Sequence, residues 1–321
     1  MMDNLIEVDN LLDYLYKQGG VVNEAGALIL PPSLGNGYIK LIKPSPHISL
    51  MLQQYQLHHS LLVKRKPNCE PINTVLFSFR NVLAAQRSDY PKTRVKTWSS
   101  VQISSSDVSL DITVAAHVPT SNILIQVDRS FLAQLLQTDS QERLAALVTR
   151  PQQSYLYEEL VSPRIQLIAA EIFGPDNRDT LLNFYYKIKA EELIYVLLTG
   201  LSERIAIPHY PLNQADIETV YRIRNELVSN LNAAPHLTHL AAQANMSVSK
   251  LGKLFRQIFG ESLYTYFQKV RMQQAASWLS EGKQSVSEVG YRLGFSNLSH
   301  FSRLFRKYTG LNPKQYTSLK V

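Results

Sequence analysis

The sequence predicts an α+β unit followed by an all-α unit. Three observations carry this. Short β-branched and aromatic runs end near Val127 and give way to helical periodicity from about Ser130. Two prolines fall within IPHYPLN (207–213), where a continuous helix is disfavoured. A pair of helices beginning at Leu240 recurs at Val289. The 321 residues are enough for two separate cores.

The chain opens on MMDNLIEVDN (1–10), which is acidic and lacks the basic-then-apolar order of an export signal. No apolar run approaches the roughly 20 residues that span a bilayer. The expected location is the cytoplasm, with no membrane partner. From about Tyr38 to Val127 strands are expected, with the clearest at ISLMLQQYQ (48–56), TVLFSFR (74–80), VSLDITVAA (108–116) and NILIQV (122–127). A long helix follows over residues 180–206, and its apolar side includes Leu181, Tyr185, Ile188, Leu193, Val196 and Leu197. It is apolar over more than one face, as expected of a helix that packs on its own core and also pairs with a second subunit.

The expected domains are residues 1–206, a linker at 207–214 and a helical unit at 215–321. Within the last, helices are expected at 215–230, 236–244, 247–259, 262–280, 285–293, 298–308 and 313–316. Ser247, Ser262 and Ser285 are N-cap candidates, and Asn312 precedes a proline at the first helical position. Gly260, Gly282, Gly294 and Gly310 fall at helix ends, where a left-handed residue is often required.

Charge is unevenly placed. Residues 212–321 hold 14 Lys and Arg against 6 Asp and Glu, a balance of +8, which leaves −1 over residues 1–211. A polyanion partner for the second unit alone fits that asymmetry. Catalytic and metal chemistry find little support. The single cysteine, Cys69, excludes an intrachain disulfide and a Cys-based zinc site, and is expected to be a structural thiol. His47, His58, His59 and His117 do not form a metal-ligating pattern, since the adjacent pair would point to opposite faces of a strand. No glycine-rich phosphate loop or Ser/His/Asp arrangement is present, so no cofactor is expected.

The repeat is the strongest signal. LAAQANMSVSKLGKLFRQIFGESLYTYF from Leu240 aligns with VGYRLGFSNLSHFSRLFRKYTGLNPKQY from Val289, offset by 49 residues before the turn and 50 after it. Leu254, Phe255, Arg256, Gly260 and Tyr266 match Leu304, Phe305, Arg306, Gly310 and Tyr316. Each copy reads as a short helix, a tight turn and a second helix. Leu251, Leu254, Phe255 and Ile258 form one buried stripe, and Phe301, Leu304, Phe305 and Tyr308 form the other. The opposite faces carry Ser249, Lys250, Gly252, Lys253 and Arg256, then Ser299, His300, Ser302, Arg303 and Arg306. Short polar side chains admit a helix to the major groove, and arginine can donate two bonds to guanine. The helix expected at 262–280 is about 28 Å long, close to one DNA turn of roughly 34 Å. Double-stranded DNA is therefore the expected partner, read in successive major grooves.

These residues resemble the DNA-binding domain of the AraC-type transcription regulators. LAAQANMSVSKLGKLFRQIFG, KVRMQQAASWL and VSEVGYRLGFSNLSHFSRLFRKYTGLNPKQY carry the likeness, most specifically through Arg271, Ala275, Leu279, Gly294, Phe295, Phe301, Phe305, Gly310, Pro313 and Tyr316. The resemblance covers about a third of the chain. It implies DNA contacts from Ser249, Gly252, Lys253 and Arg256 in the first unit. In the second it implies contacts from Leu298, Ser299, His300, Ser302, Arg303 and Arg306. Lys253 and Arg303 are expected at base edges with Ser249 and Ser299 assisting, Arg256 and Arg306 on phosphates, and Arg271 in a structural role. Gly252 departs from the family, which has a longer side chain there. The resemblance also implies a cupin-like barrel before the DNA-binding domain, a small-molecule effector, a homodimer, and RNA polymerase as a partner if the protein activates. The alternatives are a constitutive DNA-binding regulator with a purely structural first domain, or an enzyme fused to a DNA-binding domain, whether cupin-like or a repair methyltransferase acting through Cys69.

Overall fold

The computed structural model describes residues 6–64, 73–83, 99–105, 108, 111–136, 155–174, 180–202, 210 and 212–318. The chain forms two compact units, Met1–Gln214 and Ala215–Val321.

In the first unit the order is β1 (Ile6–Val8), α1 (Leu11–Lys17), β2 (Val21–Val22), β3 (Ala27–Ile29), β4 (Gly35–Ser45), β5 (Ile48–Leu57), β6 (Leu61–Val63), β7 (Thr74–Arg80), β8 (Ser100–Ser105), β9 (Ile112–Val114), β10 (Thr120–Asp128), α2 (Arg129–Leu135), β11 (Leu156–Leu160), α3 (Pro163–Phe173) and α4 (Leu182–Ser202). Eight strands make an antiparallel sheet in the order β11-β8-β7-β10-β5-β4-β3-β2, and β1, β6 and β9 make a small second sheet. The large sheet ends at β2 and β11 and is not closed into a barrel, which corrects the cupin-like barrel expected from the sequence. Helices take the place of closing strands. The inner face, with Phe77, Phe79, Val101, Ile103, Ile123 and Ile125, shares one apolar core with Ile165 and Ile168 of α3 and with Leu193, Leu197 and Leu201 of α4. Burial that a closing strand would supply is thus met by helix packing.

The strands expected at 48–56, 74–80 and 122–127 are present, while among the described residues of the run at 108–116 only Ile112–Val114 form a strand, β9. Three strands lacked a clear pattern. β4 carries Gly35, Gly37 and Pro44, yet Gly37 (φ 114°) lies so close to β5 that a Cβ would sit 2.2 Å from the Gln54 carbonyl oxygen. β8 is serine-rich but buried throughout, and β11 contains a buried acid, Glu158. The face assigned to α4 also needs correction. Tyr186, Ala190, Leu193, Ile194, Leu197, Leu198 and Leu201 are buried, whereas Leu181 (64% exposed) and Ile188 (45%) face solvent together with Phe184 and Tyr195.

The second unit contains α5 (Gln214–Ser229), α6 (Leu237–Gln243), α7 (Val248–Phe259), α8 (Leu263–Ser280), α9 (Val286–Arg292), α10 (Leu298–Thr309) and α11 (Pro313–Ser318). Ser247, Ser262 and Ser285 accept from backbone N–H groups three residues on, at 3.1, 3.2 and 3.2 Å. At the other ends, Gly260, Gly282, Gly294 and Gly310 all have positive φ. The duplication is visible in the packing. Phe255 meets Tyr266 edge-on at 5.5 Å and 81°, and Phe305 meets Tyr316 at 5.4 Å and 84°.

Candidate nucleic-acid interface

Helix α7 buries Leu251, Leu254, Phe255 and Ile258, so its opposite side must face solvent. Ser249, Lys253 and Arg256 are exposed there, and Gly252 is half-exposed among them. Lys250 is drawn aside: its Nζ donates to Asp216 Oδ1 of α5 at 2.9 Å, tying α7 to the helix that opens the unit. Sequence reasoning missed that tie, because Asp216 lies 34 residues away.

Helix α10 is built the same way. Asn297 caps it, accepting from the His300 backbone N–H at 3.0 Å, and Phe301 and Phe305 are buried. Asn297 was not singled out from the sequence, although its type and position fit the N-cap rule. Ser299, Arg303 and Arg306 are exposed on the outer side, and Ser302 is half-buried. The structure therefore brings together four corresponding positions on each helix. Of the remaining two residues, Leu298 leans inward and His300 is exposed beside Phe295. Leu298 is half-buried, with Cδ2 only 2.6 Å from where a Cβ on Gly290 would lie, and the His300 ring meets Phe295 edge-on at 5.8 Å. Among the described residues, no ion pair engages Arg256, Arg303 or Arg306, which leaves their guanidinium groups available to an anionic ligand.

The helices α7 and α10 are joined by α8, whose 18 residues span about 27 Å. Arg271, at the middle of α8, ties it to the turn before α10. It is buried, its Nη1 donates to Gln268 Oε1 at 3.0 Å, and its Nη2 donates to the Leu293 carbonyl in the turn before α10. The guanidinium also lies 3.9 Å from the Phe295 ring centroid and 5.2 Å from that of Phe267. Burial pulls its pKa down to about 10, so it stays charged near neutral pH. Lysine cannot reproduce a planar donor set against two acceptors and two rings. Arg271→Lys is expected to lower unfolding stability by about 2 kcal/mol, within the range for hydrogen bonds to charged groups; urea denaturation of the full chain measures it.

The first unit offers less. A cleft lined by Val101, Ile103, Tyr157, Glu158, Glu159, Leu197 and Leu201 encloses only about 10 Å³, far below the roughly 300 Å³ at which small-molecule pockets begin. Its Glu158 is 1% exposed and accepts from Gln102 Nε2 at 2.5 Å. His47 pairs with Asp128 at 2.9 Å and stacks on Phe131, and the His58 and His117 rings lie 6.3 Å apart. Among the described residues, no group of three or more His, Cys, Asp or Glu is placed to hold a metal ion, and no helix is long and apolar enough to cross a membrane. Cys69 and residues 207–209 and 211 of the expected linker lie outside the described residues.

Residues 240–318 match a family model described as "Helix-turn-helix domain". An uncharacterized HTH-type transcriptional regulator of Haemophilus influenzae is 28% identical over 187 residues, covering 53% of this chain and 58% of that protein. The arabinose operon regulatory protein of Escherichia coli is 30% identical over 127 residues, covering 39% and 41%. The chain thus spans about half the length of these curated relatives. Among solved structures, the C-terminal domain of AraT, a response regulator from Geobacillus stearothermophilus, aligns with 28% identity and a TM-score of 0.30, covering 31% of this chain and 84% of that one.

Proposed function

We propose that the chain is a sequence-specific transcription regulator of the AraC type, not an enzyme, whose helix-turn-helix domain at residues 240–318 reads two successive major grooves with α7 and α10. The observation that carries this is the pairing of exposed positions. Ser249, Lys253 and Arg256 on α7 correspond to Ser299, Arg303 and Arg306 on α10, each set opposite a buried apolar stripe. Lys253 and Arg303 contact base edges with Ser249 and Ser299 beside them, and Arg256 and Arg306 hold phosphates. Leu298, whose side chain partly serves packing, and the exposed His300 contribute at the rim of the second contact.

In this proposal residues 1–206 are the sensing and dimerising domain, 207–214 the linker and 215–321 the reader. The exposed face of α4 supports pairing with a second copy. It presents Phe184, Ile188 and Tyr195, with Lys187 and Glu191 joined by an i,i+4 ion pair at 3.8 Å alongside, so a twofold partner would bring complementary charges together. A small-molecule effector acts through this domain, and RNA polymerase is the further partner wherever the protein activates.

Selection of bound duplexes from a random pool by the full-length chain, at stated salt, tests the proposal. The expected product is a site with two blocks about one helical turn apart, present twice if the dimer binds. Enrichment of a single block would restrict reading to one unit. No enrichment, with or without candidate effectors, would overturn sequence-specific binding.

A further inference from the structure

The four corresponding positions of α7 and α10 agree in type at three, and the fourth sets Gly252 against Ser302. Gly252 lies in the middle of α7 with ordinary helical backbone, and a Cβ added there would meet nothing within 4 Å. Nothing in the fold demands glycine, and alanine would suit the helix better. The missing side chain leaves a methyl-sized notch on the exposed face. Ser249 and Arg256, one turn to either side, bound it, as does the stem of Lys253. The backbone N–H and C=O groups at this depth are used within the helix, so the notch offers an incoming base neither donor nor acceptor. What enters must be small and apolar. Of the groups that base edges show in the major groove, only the C5 methyl of thymine is both.

We propose that Gly252 is a specificity-determining residue whose notch receives a thymine methyl in the half of the site read by the first unit. This rests on the DNA-reading function proposed above. The test replaces each thymine of the selected site in turn by deoxyuridine, which removes only the methyl, and measures binding of the full chain. One position should weaken binding by roughly fourfold, the equivalent of about 0.8 kcal/mol for one buried carbon group. Gly252→Ala and Gly252→Ser fill the notch. Both should weaken binding to the thymine duplex and erase its advantage over the deoxyuridine duplex. Gly252→Ala should melt at or above the wild-type temperature, which places the loss at the interface. Equal binding of all deoxyuridine duplexes by the wild type would overturn the inference and leave DNA reading intact. So would a methyl preference that survives in Gly252→Ala, or a clear fall in its melting temperature. Failure of the wild type to bind any duplex selectively would overturn both.

Discussion

Gly294→Ala is expected to destabilise the second unit by about 3 kcal/mol, a large share of what holds a domain of this size together. Two costs combine. Gly294 has φ +76°, where an L-residue pays roughly 1–2 kcal/mol. A Cβ there would also lie 1.8 Å from the Asn232 carbonyl oxygen and 2.8 Å from its carbonyl carbon. These are backbone atoms and cannot rotate away, so the segment between α5 and α6 or the turn before α10 must shift, at about 1–3 kcal/mol for overpacking. Gly282 and Gly310 supply the control. Their φ values are +67° and +80°, but a Cβ at either meets nothing within 4 Å. Alanine at those two positions should cost only the backbone part. Urea or thermal unfolding of the three variants checks the ranking, and equal losses would show that the Asn232 contact carries no weight.

The same turn explains what the sequence could and could not reveal. Helix ends in the second unit were legible because capping is local: a serine three residues before its partner N–H, or a glycine just past the last turn, is visible in a short window. The buried stripe of α7 was legible for the same reason, as were Phe301 and Phe305 of α10, although Leu304 and Tyr308, expected in that stripe, are only half-buried; the opposite faces followed by elimination. What holds the unit together was not. Asn232 beneath Gly294, Leu293 at the end of Arg271, and Asp216 beside Lys250 are all contacts between elements distant in sequence, and no periodicity encodes them. The first unit shows the converse. β8 was not singled out in the sequence, since Ser100, Gln102 and Ser104 are polar, yet it lies inside the sheet between β7 and β11 and all three are buried. In α4 the apolar residues run around more than one face, so composition does not say which face is core; the structure buries Tyr186, Ala190 and Leu193 and exposes Leu181, Phe184 and Ile188. The barrel was an expectation from resemblance, and it gave way to a sheet covered by α3 and α4.

Arg303→Ala is expected to lower affinity for the selected site by about 1–3 kcal/mol and to relax preference at one base pair. Geometry separates Arg303 from Arg306. Arg303 lies in the second turn of α10, above Ser299 and on the side away from Phe301 and Phe305, where a recognition helix places its base-contacting residues. Arg306 lies almost a turn further from the helix N-terminus, and in the proposed docking it meets the duplex backbone rather than base edges. Its replacement by Ala should weaken all sequences alike and reduce the slope of affinity against salt by about one. Arg303→Lys keeps a point charge but loses the two-pronged donor, so it should bind nearly as tightly to random DNA and still fail to discriminate at that base pair. The rigidity of the turn matters to this outcome. In the proposed reading Arg303 is aimed at one base pair because Asn297 caps α10 and Arg271 holds the Leu293 carbonyl, so Arg271→Lys should blur the preference of the second block as well as lowering stability. Affinity measured on duplexes altered at each position of that block, at two salt concentrations, distinguishes the cases. A loss in Arg303→Ala that is equal on every sequence would make it a phosphate contact and move base reading in α10 to Ser299 and Ser302.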